Sequence, residues 1–467
     1  MRGPGFAFIA TFTLLLALVP AAFVADAAPA RGDYVIGFRG AAPPGWAASH
    51  GFSASKSLDR FHALVVHAPS AALLKIAARD PLVAFVEPNQ PIFVDATGWD
   101  GSATSGTGWD GTGWDGTGWD GTGWDATTWD GTYAAGTGWD GTGWDGTGWD
   151  GTGWDGTGWD GTGWDGTGWD GTGWDASPDP GYVQQWGLAA VHAPEAWTVS
   201  VGTGAVTICV LDTGLDASHP DLAAHVYTNP ADGSHGFNAR NGSHDVTDEI
   251  GHGTFVAGIA GAIGGNGAGV VGVSQEKLLP VKVMDASGGT EADLAEGIGI
   301  CLAQGARVLS MSLHATQTSA LLDQALDDAL AAGAVVVAAA GNAGSDQVAY
   351  PASHPGVIAV GAANGTAQLA PFSNHGDRLD LVAPGVEIVS TVPGAKYAGA
   401  SGTSAAAPFV SGAAALILDL APSLTGAQVA ALLEGNARDL GAPGKDATFG
   451  QGGLDVAAAL KAALALE

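Results

Sequence analysis

The sequence predicts an α/β fold with a mostly parallel sheet over residues 180–467, preceded by a small α+β unit and a low-complexity pentad repeat. Three observations carry this. Apolar strands alternate with helical segments after Pro178, the texture of a parallel sheet covered on both faces. The stretch from Tyr34 to Val94 reads YVIGF, HALVVHA, SAALLKIAARD and VAFVEPNQPIFV, which suits a small sheet with one or two helices. Between them G-T-G-W-D recurs with few breaks.

Taken in order, residues 1–27 have the layout of a secretory signal. Arg2 precedes an apolar run from about Phe6 to Val24, and Ala25-Asp26-Ala27 forms an A-x-A exit. Export and cleavage after Ala27 are expected. A retained membrane anchor is the rival, weakened by Pro20 and the small-residue exit. The expected location is secreted and extracellular.

The repeat, residues 97–176, holds 14 of the 17 Trp and 14 Asp, with no Lys, Arg or Glu. A five-residue period advances about 500° on a helix, so successive Trp make no stripe; on a strand they alternate between faces. Neither element gains a one-sided apolar face. Asp-Gly junctions signal turns and Gly is costly to order, so a flexible or loosely turned linker is expected. A pentad solenoid and a sticky module stacking Trp on carbohydrate or another surface stay open.

The chain carries 47 acidic against 16 basic residues, a formal charge of −31. That argues against nucleic acid and anionic membranes as partners. Only Cys209 and Cys301 are present, one in an expected strand and one in an expected helix, so buried free thiols are expected rather than a bridge.

The strand AVTICVLDTG, helix EADLAEGIGICLAQGA, strand VLSMSL, helix SALLDQALDDALAAG, strands AVVVAAAGN and VIAVGAA, and a helix from about Thr403 follow in turn. Chemistry-bearing residues fall at their junctions. Asp212 sits in V-L-D-T-G, His252 in G-H-G-T-F-V-A-G and Ser404 in S-G-T-S-A-A-A-P. Singly, these read as a strand-end turn, a helix cap and an N-cap. Jointly they supply what acyl transfer needs: a nucleophile, a base to take its proton, and a carboxylate to orient the base. Asn342, in A-A-A-G-N-A-G, offers a carboxamide donor for an oxyanion.

These motifs, in this order, resemble the subtilisin-like serine proteases (subtilases, peptidase S8 family), with Q-W-G-L, H-P-D-L and Y-P-A extending the match from about Gln184 to the C-terminal helix. The resemblance implies a subtilisin-like three-layer fold and a secreted serine endopeptidase working through an acyl-enzyme on protein or peptide substrates. It implies that Asp212 orients His252, that His252 is general base and then acid, that Ser404 attacks, and that Asn342 with the Ser404 N–H binds the oxyanion. Ser312, Leu313, His314 and Ala349 are implied to line the substrate cleft, with an apolar preference before the scissile bond. His314 departs from the family's usual Gly, Phe255 from a His and Ala405 from a Met.

A structural calcium site is also implied, from Asp221 and Asn266 side chains and the carbonyls of Gly264, Ala268 and Val270, with no catalytic cofactor. The G-x-G-x-x-G at Gly267–Gly272 follows a helical rather than an extended segment, so a nucleotide site is not expected. Residues 31–96 resemble the family's inhibitor I9-like propeptide, which implies a self-processed zymogen, expected to be cut near Asp95 or Ala96, with its own propeptide as an intramolecular inhibitor. The repeat stands where the family is normally cut directly; its ~80 residues reach over about 200 Å, enough slack for self-processing. A second cut near Pro178 would discard it. A monomer is expected.

Other readings are weaker. An aspartic protease needs a second D-T-G, a metal hydrolase lacks H-E-x-x-H, and a catalytically inert protein binding surfaces through its Trp repeat conflicts with intact catalytic motifs.

Overall fold

The structure, a computed structural model, describes residues 23–24, 32–94 and 179–466. The leader, apart from the backbone of 23–24, lies outside the described residues. So do the pentad repeat and the expected cut at Asp95 or Ala96. Contacts divide the chain into two units, Met1–Pro88 and Asn89–Glu467.

In the first unit, strands Gly32–Phe38, Ser53–Leu58, Ala63–Ala68 and Val83–Pro88 form a sheet with Phe23–Val24 at one edge. The helix Ala71–Ala77 and a single turn at Trp46–Ser49 accompany it. Tyr34, Ile36, Phe38, Val66 and Val86 share one core with Trp46, whose ring Nε1 donates to Asp80 at 2.7 Å. Alternate residues of these strands supply the core, as the pleat requires.

The second unit is built on seven parallel strands. Their spatial order is Leu381–Pro384, Ile358–Ala363, Val335–Ala339, Val308–Met311, Thr207–Asp212, Lys277–Lys282 and Phe237–Asn238. Every pairing is parallel, so each return runs through a crossover, mostly helical. The pleat sends alternate side chains to opposite layers. Ile208 and Val210 join the core with the helices His252–Gly261 and Thr403–Leu420. Leu211 points the other way, toward Gly297 in the helix Glu291–Ala303, which packs beside Ala320–Ala331. Three layers result.

The same alternation corrects the thiol expectation. Cys209 faces the Glu291–Ala303 layer, where it meets Cys301; the two form a disulfide with Cα atoms 5.8 Å apart. Standing in a strand and in a helix does not keep the two thiols apart. In a layered fold a strand residue and a residue of the covering helix are natural neighbours.

Thr403–Leu420 is long and apolar enough to cross a membrane, but it is the buried central helix of this core. Outside the main sheet, an antiparallel sheet runs in the order Met284–Asp285, Gly288–Thr290, Pro91–Val94, Leu313–Ala315. The expected strand VLSMSL is thus two strands broken at Ser312, each serving a different sheet.

Candidate active site

Asp212 ends, and Ser312 and Asn342 follow, three adjacent parallel strands at their C-terminal edge. Parallel sheets gather loops from sequence-distant strands at that edge, which is where open α/β sheets place their sites.

Asp212 ends its strand with a buried carboxylate. Its Oδ1 accepts from Thr213 N at 2.7 Å and from His252 Nδ1 at 2.8 Å, and both side chains are 1% exposed. With Nδ1–H given to Asp212, the ring's Nε2 is left as the basic nitrogen. His252 opens its helix, and Gly253 permits the close approach to the strand end: a Cβ there would sit 2.0 Å from the Gly214 carbonyl.

A second buried carboxylate holds this helix start. Asp248 Oδ1 accepts from Thr213 Oγ1, Ile250 N and Gly251 N; its Oδ2 accepts from Thr254 N and Oγ1. Thr213 Oγ1 in turn accepts from Gly253 N at 2.8 Å. Asp248 therefore ties the residue after Asp212 to the turn carrying His252. Sequence reasoning missed it; the available signal was an acid just ahead of a helix start.

Ser404 is the second residue of Thr403–Leu420 and is buried. Pro408, four residues on, has no N–H for the Ser404 carbonyl, and Ser312 Oγ donates to that oxygen instead at 2.9 Å. Asn342 is bound to the same helix start, its Oδ1 accepting from Thr403 N at 2.9 Å and Thr403 Oγ1 at 3.0 Å. These bonds turn Nδ2 away from Thr403, and Nδ2 is buried with no partner among the described residues. Gly341 holds φ at 102°, and a Cβ there would meet Asn374 Nδ2 at 2.4 Å, so the turn presenting Asn342 requires glycine.

The four expected cleft residues divide. Ser312 and Leu313 are buried, so they offer backbone rather than side-chain surface. Ala349 is half-buried beside Gly341. The half-buried His314 ring stacks on Phe93, centroids 5.5 Å apart. Pro91–Val94 lies between Gly288–Thr290 and Leu313–Ala315, pairing Val94 with Leu313, Phe93 with His314 and Ile92 with both Ala315 and Gly289. This last strand of the expected small unit thus pairs within the second unit.

Of the expected calcium residues, Asn266 and Val270 meet Asp221 directly, both as hydrogen-bond donors. Asp221 is fully buried; Oδ1 accepts from Asn266 Nδ2 and Oδ2 from Val270 N, both at 2.8 Å. Burial pushes its carboxyl above the usual range. Asp179, which sequence reasoning missed, accepts from Gly265 N and Gly267 N of the same loop. No three His, Cys, Asp or Glu side chains are grouped to hold a metal among the described residues, so a cation here depends on carbonyl oxygens. Buried carboxylates, an amide oxygen and loop carbonyls are hard donors that suit calcium. Offering Asn266 Oδ1 requires its amide to turn, releasing Ala268 N, which it now accepts from at 2.8 Å.

Residues 203–452 match the subtilase family. The chain is 42% identical over 245 residues to the thermophilic serine proteinase of Bacillus sp. (strain AK1), covering 52% of this chain and 59% of that protein. It is 40% identical over 258 residues to Subtilisin Savinase of Lederbergia lenta, covering 55% of this chain and 92% of the relative. Subtilisin amylosacchariticus of Bacillus subtilis subsp. amylosacchariticus is 40% identical over 287 residues, 59% of this chain and 70% of its own.

Proposed function

The chain belongs to the subtilase family, and from that premise we propose that it is a secreted serine endopeptidase made as a self-processed zymogen. The observation that carries the reading is the buried Asp212–His252 hydrogen bond at the sheet edge that also holds Asn342 against the helix start bearing Ser404. Asp212 fixes the imidazole tautomer and stabilises the imidazolium. His252 takes the Ser404 proton as Oγ attacks the substrate carbonyl. Asn342 Nδ2 and the Ser404 N–H receive the oxyanion, helped by the positive end of the helix. The proton passes to the leaving amine, and water releases the acyl group by the reverse sequence.

Zymogen inhibition draws support from Pro91–Val94, which pairs as an added strand with Leu313–Ala315, the manner in which an extended peptide binds a sheet edge. Cleavage near Asp95 or Ala96 would free that edge. The pentad repeat then remains as an extension, or is lost through a second cut near Pro178. Calcium, held by Asp221, Asn266 and the carbonyls of Gly264, Ala268 and Val270, would neutralise a buried acid and brace the loop; the reaction itself uses no cofactor.

The test is labelling with a fluorophosphonate probe, comparing wild type with Ser404→Ala. Label on the wild type alone is expected. Equal labelling of both, or none on a folded wild type, ends the proposal.

A further inference from the structure

We propose that His314 is a specificity-determining platform that selects an aromatic substrate side chain at the position held by Phe93, two residues before Asp95; this rests on the protease reading above. In an antiparallel pair, directly opposed residues project from the same face, and Phe93 is opposed to His314. Along Pro91–Val94 the side chains alternate. Ile92 turns inward, 2% exposed, against the strand carrying Gly289, while Phe93 turns outward and stays 44% exposed. Phe93 is one of few large apolar side chains so exposed among the described residues, and its ring is matched by the imidazole at 5.5 Å and 28°.

The backbone at position 314 supplies the pairing whatever its side chain; only the ring distinguishes phenylalanine from alanine opposite it. A glycine there would take away the ring that Phe93 stacks on. A half-exposed ring pair of this kind is worth roughly a 2- to 10-fold preference. The same contact would hold the chain's own tail before processing, so one residue serves both inhibitor and substrate.

Two measurements test this. First, purified enzyme is assayed on quenched peptides carrying Ile-X-Val followed by an apolar residue, with X as Phe, Leu or Ala. Wild type should favour Phe over Ala by roughly 2- to 10-fold in kcat/KM, and His314→Gly should lose that preference while still cleaving. His314→Phe should restore it. Second, hydrogen exchange of the 92–94 amides is followed in the full Ser404→Ala chain through a cycle of Phe93→Ala and His314→Gly. Protection should fall on Phe93→Ala only when His314 is present. A Phe-to-Ala ratio unchanged by His314→Gly, or an additive cycle, overturns the proposal. A coupled cycle in a folded chain whose wild type cleaves nothing supports the ring contact and overturns the protease reading instead.

Discussion

Replacing Asp248 tests how the site is held together. Its carboxylate accepts five hydrogen bonds, three of them from backbone N–H groups of the turn and helix around His252. In Asp248→Asn one oxygen can keep Thr213, Ile250 and Gly251. The amide nitrogen then faces Thr254 N–H, donor against donor, and the Thr254 hydroxyl must rotate to accept. One buried N–H loses its partner and the remaining bonds lose the help of the charge, about 2–4 kcal/mol in all. His252 stands at the end of this clamp, where a displacement on the order of 1 Å costs roughly 100-fold. The expected outcome is a kcat reduced about 10- to 100-fold with KM within about 3-fold, measured on a chromogenic peptide. Urea unfolding in the Ser404→Ala background, which prevents autolysis, should show the stability loss. Thr213→Val should reproduce the kcat effect and Thr213→Ser should not, because only the hydroxyl links Asp248 to Gly253 N. Full kcat in Asp248→Asn despite lower stability would refute the positioning role.

Four further outcomes are expected. Asn342→Leu should lower kcat by about 100- to 1,000-fold with little change in KM; that size is the one known for the oxyanion donor of a subtilisin, and a loss under about 10-fold would remove Asn342 from the oxyanion site. The Cys209–Cys301 bond closes a separation of 92 residues, so Cys209→Ala with Cys301→Ala should cost about 4.5 kcal/mol in urea unfolding, and a loss below about 1 kcal/mol would contradict the loop-closure account. Burial raises the Glu387 carboxyl to about 7. A raised acid contributes stability below its unfolded value near 4.5 that is lost as pH rises through about 7. Glu387→Gln should therefore match wild type at about pH 4 and exceed it by about 1–3 kcal/mol at about pH 9, and a pH-independent gap would be the contrary result. A chelator should lower the melting temperature of wild type and calcium restore it, with Asp221→Asn insensitive to both; equal responses from the two proteins would argue against the loop as the binding site.

Asp212, His252, Asn342 and Ser404 were legible in the sequence, because each stands in a short run of small residues whose backbone demands are local, and so were four of the apolar strands, whereas the sheet strands Lys277–Lys282, Leu381–Pro384 and Phe237–Asn238 were not. Periodicity also marked the helices that cover the sheet. Tertiary structure alone decided that Cys209 faces Cys301, that Asp248 returns to clamp the His252 turn, that Asp179 reaches the Gly265–Gly267 loop, and that Pro91–Val94 pairs with Leu313–Ala315. Every one of these joins chain segments whose own patterns are satisfied without the partner. Strand pairing and carboxylate capping are spent on whichever groups the fold brings within reach, and the local sequence of neither partner records which those are.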